Sequence, residues 1–498
     1  MPISKNNLQF IMNKLKKSFQ WLLIALVTVS LTIITRNVAV AQPVSHYSDI
    51  QYPPLPDIQL PEYDRLSLDN GMVIYLMEDH RLPLVTGNAL LRTGDKFDPH
   101  DKVGLATVTG NLMRTGGTQN YPRREIDHIL EQKAASIETS IGTNSGNATF
   151  NTLSYDLEEV FNLFGDILRN PVFEQNFIDF EKNNLRGAIA RRNDNPGNIV
   201  QREFSKLVYG NDSPYARTIE HNTLENITRE DITNFYGQHI RPENVILGIV
   251  GDFEPEQMKS LITQTFGDWQ VSTPRPNQEI TTPTQVTTSG LYLVDQPQLT
   301  QSNILLGHIG GRLDDPNYPT LTVINGVLNG FGGRLHNEVR SRQGLAYSVY
   351  GVWRANYDHP GLFLAGGQTN TESSGQFIQA IKGEIQKLRT EIISQDDLDY
   401  AKNSILNSFV FQFQTPNQIL SRLMIYEYYD YPQDFIFNYQ QAVTNTTAQQ
   451  VFSAAQEYLK PDQFVTLVVG NGEQVRQTLT PLNQDIQTVD ITINPPNS

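Results

Sequence analysis

The feature that most constrains the fold of this 498-residue chain is an internal repeat. Landmarks of the first half return in the second half at a nearly constant offset of about 217 residues, which is far longer than a solenoid period and indicates duplication of a whole domain. The paired landmarks are Asn88–Leu91 with Asn303–Leu306, Asp98-Pro99 with Asp315-Pro316, and Arg241-Pro242 with Lys460-Pro461. The sequence therefore predicts two copies of one folding unit.

Each copy mixes alternating apolar strands with amphipathic helices. The run Met72–Met77 follows the pair Asn70-Gly71, as a hairpin strand does, and Leu157–Leu168 has apolar residues at helical spacing. We expect an α+β fold in which each unit is an antiparallel-rich sheet covered by helices on one side. The predicted segments are an N-terminal segment at 1–41, a first domain at 58–271, a linker at 272–290, a second domain at 291–475 and a tail at 476–498.

The first 41 residues have the pattern of a secretory signal peptide. Lysines between positions 14 and 17 precede an apolar stretch from Trp21 to Ile34, and Ala39-Val40-Ala41 offers a small-residue cleavage site. We therefore predict export through a cleaved signal peptide, into the periplasm or an equivalent lumen. The alternative is an uncleaved membrane anchor, because residues 18–35 carry no charge and approach the length that spans a bilayer.

The charge balance argues against nucleic acid as a partner. The chain has 38 basic and 53 acidic side chains, and residues 1–41 hold five of the basic and none of the acidic ones, so the remainder has 38 − 5 = 33 against 53. Nucleic acid and anionic lipid would call for a basic patch. We predict neither as a partner, and no membrane contact beyond the N-terminal segment. With no cysteine, the chain also lacks disulfides and thiolate metal sites.

Motifs along nearly the whole chain resemble the insulinase/pitrilysin/mitochondrial-processing-peptidase family. The match extends from about Ile58 to Gln474 and includes Arg334–Tyr350 and Tyr426–Pro432 in the second unit. In the first unit, the matching segments are Leu66–Met72, Glu78–Pro83, Gly94–Pro99, Gly104–Ala106, Leu185–Pro196, Thr228–Asp231 and Arg241–Asn244. The resemblance implies half of a clamshell, which a second chain completes in the family's two-chain bacterial members.

The zinc motif of that family is absent here. Active members carry His-x-x-Glu-His after the Gly-Leu-Ala segment; residues i and i+4 share a helix face, so both imidazoles reach one zinc ion beside the glutamate base. This chain has Thr107-Val108-Thr109-Gly110-Asn111 there, and the distal glutamate ligand, about 77 residues downstream, falls at Ala188 or Gly187. Neutral oxygens are poor zinc ligands, so we predict no metal in this chain.

One segment imitates the motif. His128-Ile129-Leu130-Glu131-Gln132 copies its beginning but ends in glutamine, and it follows Pro122 in what should be the next helix. We interpret it as the solvated face of an amphipathic helix.

The resemblance points to an arginine and a tyrosine in the second unit. In two-chain members, the subunit without zinc presents an Arg and a Tyr, seven residues apart, to the substrate across the interface. Here a helix ends near Arg340, and Gln343-Gly344 turns the chain into a strand that holds Tyr347. By this match, Arg340 would bind a substrate backbone carbonyl and Tyr347 would donate to the developing oxyanion. From the residues alone, the pair could equally be a helix-end cation and a half-buried strand aromatic.

Peptide capture by strand addition is a further expectation from the family. Residues 135–153 alternate and are rich in Ser, Thr, Asn and Gly, as a polar edge strand would be. Such an edge could hold a peptide or be unused in a chain without zinc.

The sequence thus predicts a non-catalytic subunit of a heterodimeric zinc endopeptidase. It would bind extended or unfolded peptides and supply Arg340 and Tyr347 to a homologous partner that carries the zinc ion. The chain would be inactive alone. The alternatives are an inactive scaffold and a peptide-binding protein of the same fold.

Overall fold

Two six-stranded sheets, one from each half of the chain, form the framework. The computed structural model describes residues 60–272, 280–287 and 289–495, so the predicted signal peptide and part of the predicted linker lie outside the described residues. The first sheet has the order β1-β2-β6-β3-β5-β4. Its strands are Asp64–Ser67 (β1), Val73–Glu78 (β2), Leu84–Leu91 (β3), Ser136–Ile141 (β4), Gly146–Leu153 (β5) and Val245–Gly251 (β6).

The second sheet has the order β12-β7-β11-β8-β10-β9, in which β7 to β11 repeat the arrangement of β2 to β6 and the C-terminal β12 forms the outer strand. Its strands are Gly290–Asp295 (β7), Gln301–Ile309 (β8), Ser348–Arg354 (β9), Leu362–Asn370 (β10), Val465–Gly470 (β11) and Ile486–Thr488 (β12). Parallel pairing joins β2 to β6, β11 to β7 and β12 to β7, and the other neighbours are antiparallel. The predicted tandem, antiparallel-rich α+β units are therefore confirmed.

Helices fill the intervals between the strands. The first half contains Leu105–Thr115 (α1), Arg123–Gln132 (α2), Leu157–Arg169 (α3), Gln175–Ala190 (α4), Pro196–Tyr209 (α5), His221–Glu225 (α6), Arg229–His239 (α7) and Pro255–Phe266 (α8). The second half contains Tyr318–Leu328 (α9), Ser374–Thr390 (α10), Gln395–Phe409 (α11), Pro416–Tyr429 (α12), Phe435–Asn445 (α13), Ala448–Tyr458 (α14) and Gly472–Leu479 (α15). Within the described ranges, none of the helices has both the length and the apolar character needed to cross a membrane.

The two halves exchange one helix each. Helix α12 of the second half packs Leu420 and Met424 against Tyr75 and Met77 of the first sheet. Reciprocally, α5 of the first half packs on β8 and β11 of the second sheet. The prediction that helices cover each sheet on one side only is therefore wrong. Strands β2 and β11 are buried on both faces, because the second face receives the helix that the other half donates.

The C-terminal segment also takes part in the fold. The sequence predicts a tail at residues 476–498, but Ile486–Thr488 forms β12 alongside β7. The side chain of Asn193 in the first half donates to the carbonyl of Ile491 at 2.8 Å. At least this part of the segment therefore belongs to the folded unit.

Two buried histidines should make stability depend on pH. His239 stacks on Phe97 and Phe235, and burial lowers its pKa to about 4. Burial also lowers the pKa of His308 to about 4; its Nδ1 donates to Ile309 O, and its Nε2 accepts from Lys460 N. Both pKa values lie below the unfolded value of ~6.5, so the unfolded chain binds more protons between these limits. We expect the free energy of unfolding to fall as pH drops from 7 to 4, by ~1–2 kcal/mol per histidine at pH 5.

Urea unfolding of the chain and of His308→Gln at pH 7 and pH 5 tests this expectation. The glutamine carbonyl can still accept from Lys460 N, so the variant should lose less stability than the parent over this interval. A His128→Gln control changes an exposed side chain and should behave like the parent. Equal losses in all three proteins would show that the pKa of His308 is not lowered in the fold.

Candidate functional site

The segment that replaces the zinc motif lies in α1. The Asp98 carboxylate accepts the amide N–H groups of Gly104 and Ala106 at 2.8 and 2.9 Å and thereby holds the start of this helix. Thr107 and Asn111 are half-buried. The Asn111 side chain donates to Glu181 Oε1 on α4 at 2.8 Å. An amide–carboxylate hydrogen bond thus occupies the position of the second zinc histidine.

Gly110, at the position of the glutamate base, has no room for a side chain. A Cβ atom at this glycine would lie 2.5 Å from the backbone nitrogen of Ile141 in β4, closer than real Cβ atoms approach backbone. The Thr139 hydroxyl donates to Gly110 O at 2.6 Å and joins the helix to the same strand. Strand β4 therefore occupies the space that a general base would need.

The remaining residues considered as metal ligands are dispersed. Ala188 and Gly187 lie on α4, and Ala188 is exposed. His128 and Glu131 lie on the exposed face of α2, as the sequence predicted. Within the part of the chain that the structure describes, no group of three or more His, Asp or Glu side chains is arranged to hold a metal ion.

Arg340 and Tyr347 are brought together in the second half. Arg340 lies in a π-helix, His336–Arg342. This conformation is rare in proteins, and where it occurs it is often at a functional site. Its guanidinium carbon lies 5.7 Å from the centroid of the Tyr347 ring, a cation–π contact. The Tyr347 side chain is 77% exposed, so the alternative of a half-buried strand aromatic is wrong. The catalytic and substrate-contacting roles of the pair stay predictions.

Arg340 differs from the other two arginines of this segment. Arg334 pairs with Asp397 at 2.8 Å, and Arg342 pairs with Glu338. None of the described carboxylates lies within ion-pair distance of Arg340, which contacts the Tyr347 ring and, through Nη1, the Nε2 of His336 at 3.4 Å. The charge of Arg340 is therefore available to an external acceptor.

The glycine-rich loop before the π-helix presents an aromatic side chain beside His336. Phe331 is 84% exposed and its ring lies 5.2 Å from that of His336. Tyr400 of α11 accepts the Gly332 N–H at 3.0 Å. A Cβ at Gly330 or Gly332 would collide with Tyr400, so these glycines allow the loop to lie on α11 while Phe331 points to solvent.

The comparison with known families identifies the chain. The family model described as "Insulinase (Peptidase family M16)" matches residues 77–221, and the one described as "Peptidase M16 inactive domain" matches residues 226–405. The chain belongs to peptidase family M16. It is a homologue of the M16 metallopeptidases that lacks the zinc motif.

Individual proteins resemble the chain over most of its length, and the solved structures among them share its fold. The chain is 23% identical to "Uncharacterized zinc protease YmxG" of Bacillus subtilis, over 72% of this chain and 86% of that protein. It is 21% identical to "Non-peptidase homolog YmxG" of Helicobacter pylori, over 78% and 88%. Among solved structures, the peptidase M16 inactive domain from Pseudomonas fluorescens superposes with a TM-score of 0.74 at 22% identity, covering 82% of this chain and 98% of that one. The periplasmic protease PqqL from Escherichia coli gives 0.69 at 16% identity, covering 89% and 50%.

Sequence reasoning missed several features of this M16 chain. The π-helix under Arg340, the exposure of Phe331 and the contact of Gly110 with β4 depend on backbone geometry that residue types do not specify. The sequence also contains no sign of the pairing of Asn111 with Glu181, which depends on how α1 and α4 pack together.

Proposed function

We propose that this chain is the non-catalytic subunit of a heterodimeric zinc endopeptidase of the M16 family, exported through its N-terminal segment. It binds an extended peptide and supplies Arg340 and Tyr347 to the active site of a homologous, zinc-bearing partner. The observation that carries this proposal is the pairing of an exposed arginine without an ion-pair partner and an exposed tyrosine. A chain that served as a scaffold alone would gain nothing from leaving both groups uncovered.

The two side chains suit complementary tasks. A guanidinium without a carboxylate partner can donate to a peptide carbonyl, and binding that carbonyl orients the chain of the substrate. The tyrosine hydroxyl is a neutral donor that can stabilise negative charge as it develops on the scissile carbonyl oxygen. Zinc, water and the general base would all come from the partner.

A reconstituted pair tests the proposal. The purified chain should leave a quenched extended peptide intact by itself and should allow its hydrolysis when the zinc-bearing homologue from the same source is added. We expect Tyr347→Phe to lower kcat of the pair by ~100-fold, as loss of one oxyanion donor does. Arg340→Gln should act mainly on KM, because it removes a contact to the bound peptide.

Matched controls come from exposed residues elsewhere. Tyr155 is 79% exposed, and Arg124 is exposed on α2. Tyr155→Phe and Arg124→Gln should leave both constants unchanged. Hydrolysis by the chain alone would contradict the proposal. Inertness in the presence of the partner would favour the scaffold or the peptide-binding protein.

A further inference from the structure

The outer edge of β9 is closed by two asparagine side chains. Asn325 Nδ2 donates to Trp353 O at 3.1 Å, and its Oδ1 accepts from Trp353 N at 2.6 Å. Asn329 makes the same pair of bonds to Gly351, at 2.6 and 3.0 Å. The two asparagines are four residues apart, at the end of α9, so they lie on one side of the helix.

These bonds replace the hydrogen bonds of a neighbouring strand. In an antiparallel ladder, every second residue turns both its N–H and its C=O toward the same neighbour. A carboxamide carries one acceptor and one donor group in a similar arrangement, so it can satisfy both backbone groups of such a residue. Gly351 and Trp353 are two residues apart and face the edge away from β10. Val349 is the one other residue of β9 whose backbone N–H and C=O face this edge. The hydrogen bonds of a single residue are too few to hold an added strand.

The corresponding edge of the first sheet is closed by α1. Arg114 Nε donates to Ile137 O of β4 at 3.1 Å, while the same guanidinium pairs with Asp127 at 2.7 Å. Ile141 lies four residues after Ile137 on β4, and its backbone nitrogen lies against Gly110 of α1. The two contacts occupy positions that a peptide would need in order to extend the sheet beyond β4.

The opposite edges offer little length for pairing. Strand β1 has four residues and β12 has three. Short terminal strands are a common way in which proteins prevent the addition of further strands. In the described residues, each sheet thus has one edge closed by helix side chains or backbone and one edge of minimal length.

We infer that this chain binds an extended peptide through side-chain contacts and not by adding the peptide to either sheet as a strand. The inference rests on the proposed function, in which the ligand is an extended peptide at Arg340 and Tyr347. Arg340 requires only a carbonyl from the peptide backbone. The backbone N–H groups of the peptide, which strand addition requires, are not used by this chain.

Backbone N-methylation distinguishes the two modes. The probe is a fluorescein-labelled dodecapeptide of alanine, leucine and lysine, compared by anisotropy at physiological salt with two versions methylated at alternate nitrogens, one version for each register. Strand addition uses the nitrogens of one register, so methylation of that register would weaken binding by about tenfold or more and the other register would bind normally.

For side-chain capture we expect both methylated peptides to bind within about threefold of the unmodified peptide, because no ladder bond is lost. Loss confined to one register would overturn this inference and leave the proposed function intact. Absence of binding by all three peptides would overturn the proposed function together with this inference.

Hydrogen exchange tests the closed edge without any peptide. The Gly351 and Trp353 amides should be protected even though β9 is an edge strand. Asn329→Ala should accelerate exchange at Gly351 by about tenfold and leave Trp353, bonded to Asn325, close to its original rate. Unprotected amides at both positions in the native chain would mean that the edge is open, and would overturn the inference whether or not the variant folds.

Discussion

Replacement of Gly110 by glutamate is expected to destabilise the chain by ~3 kcal/mol or more and to leave it without zinc. The cost has two sources: the added Cβ would lie 2.5 Å from a backbone atom of β4, and a buried carboxylate without partners is unfavourable. Helix α1 cannot move aside easily, because Thr139 and Arg114 bond it to the same strand. Thermal unfolding measures the loss. Zinc analysis of Thr107→His/Gly110→Glu/Asn111→His shows whether the rebuilt motif binds metal.

The double variant Thr107→His/Asn111→His is the matched control. Both positions are half-buried and already carry a side chain, so the loss should be smaller than that of Gly110→Glu alone. A Gly110→Glu chain as stable as its parent would mean that α1 and β4 separate readily. Point substitutions in α1 could then restore the zinc motif without unfolding the chain.

Removal of the Arg92 side chain should lower the free energy of unfolding by ~2–3 kcal/mol. This guanidinium donates to Glu427 O at 2.6 Å and also to Tyr428 O, the last carbonyls of α12, and it lies 5.2 Å from the centroid of the Tyr428 ring. In Arg92→Ala, these helix-end carbonyls lose their donor at the contact between the two halves. Urea unfolding with a fixed m value provides the measurement.

Arg65→Ala separates this effect from simple loss of charge. Arg65 also binds α12, through two bonds to the Glu427 carboxylate at 2.7 and 3.1 Å. Its side chain is 40% exposed, however, and exposed ion pairs contribute ~1 kcal/mol or less. Similar losses for both variants would show that the helix-end carbonyls of α12 find other donors when Arg92 is absent.

The fold was predictable to the level of the repeat. Asp98-Pro99 and Asp315-Pro316 indicate two equivalent units, and the matching order of five strands in each sheet follows from that equivalence. The exchange of α5 and α12 was not predictable. Leu420 and Met424 show that α12 has an apolar face, but a helical pattern does not state which sheet that face covers, and here the sheet belongs to the other half.

The candidate site divides in the same way. The spacing of Arg340 and Tyr347 could be read from the sequence, whereas their contact depends on the π-helix between Leu335 and Gln343. Gly110 in the sequence showed that the base was absent. Strand β4 fills the space where the base would lie. This depends on the packing of α1 against β4 at Gly110 and Ile141, which are 31 residues apart, and the sequence contains no sign of it.

The exchange of helices also determines the order in which the chain can acquire its structure. As the chain emerges from the ribosome, the first sheet has a bare apolar face, with Tyr75 and Met77, until α12 has been made. The hydroxyl of Tyr75 donates a hydrogen bond to Glu427, which lies 352 residues later in the chain. Contacts between residues so far apart in the sequence form slowly, and the partly folded intermediates are prone to aggregate. The first half therefore exposes this apolar face until α12 has been synthesised, and it completes its folding only together with the second half.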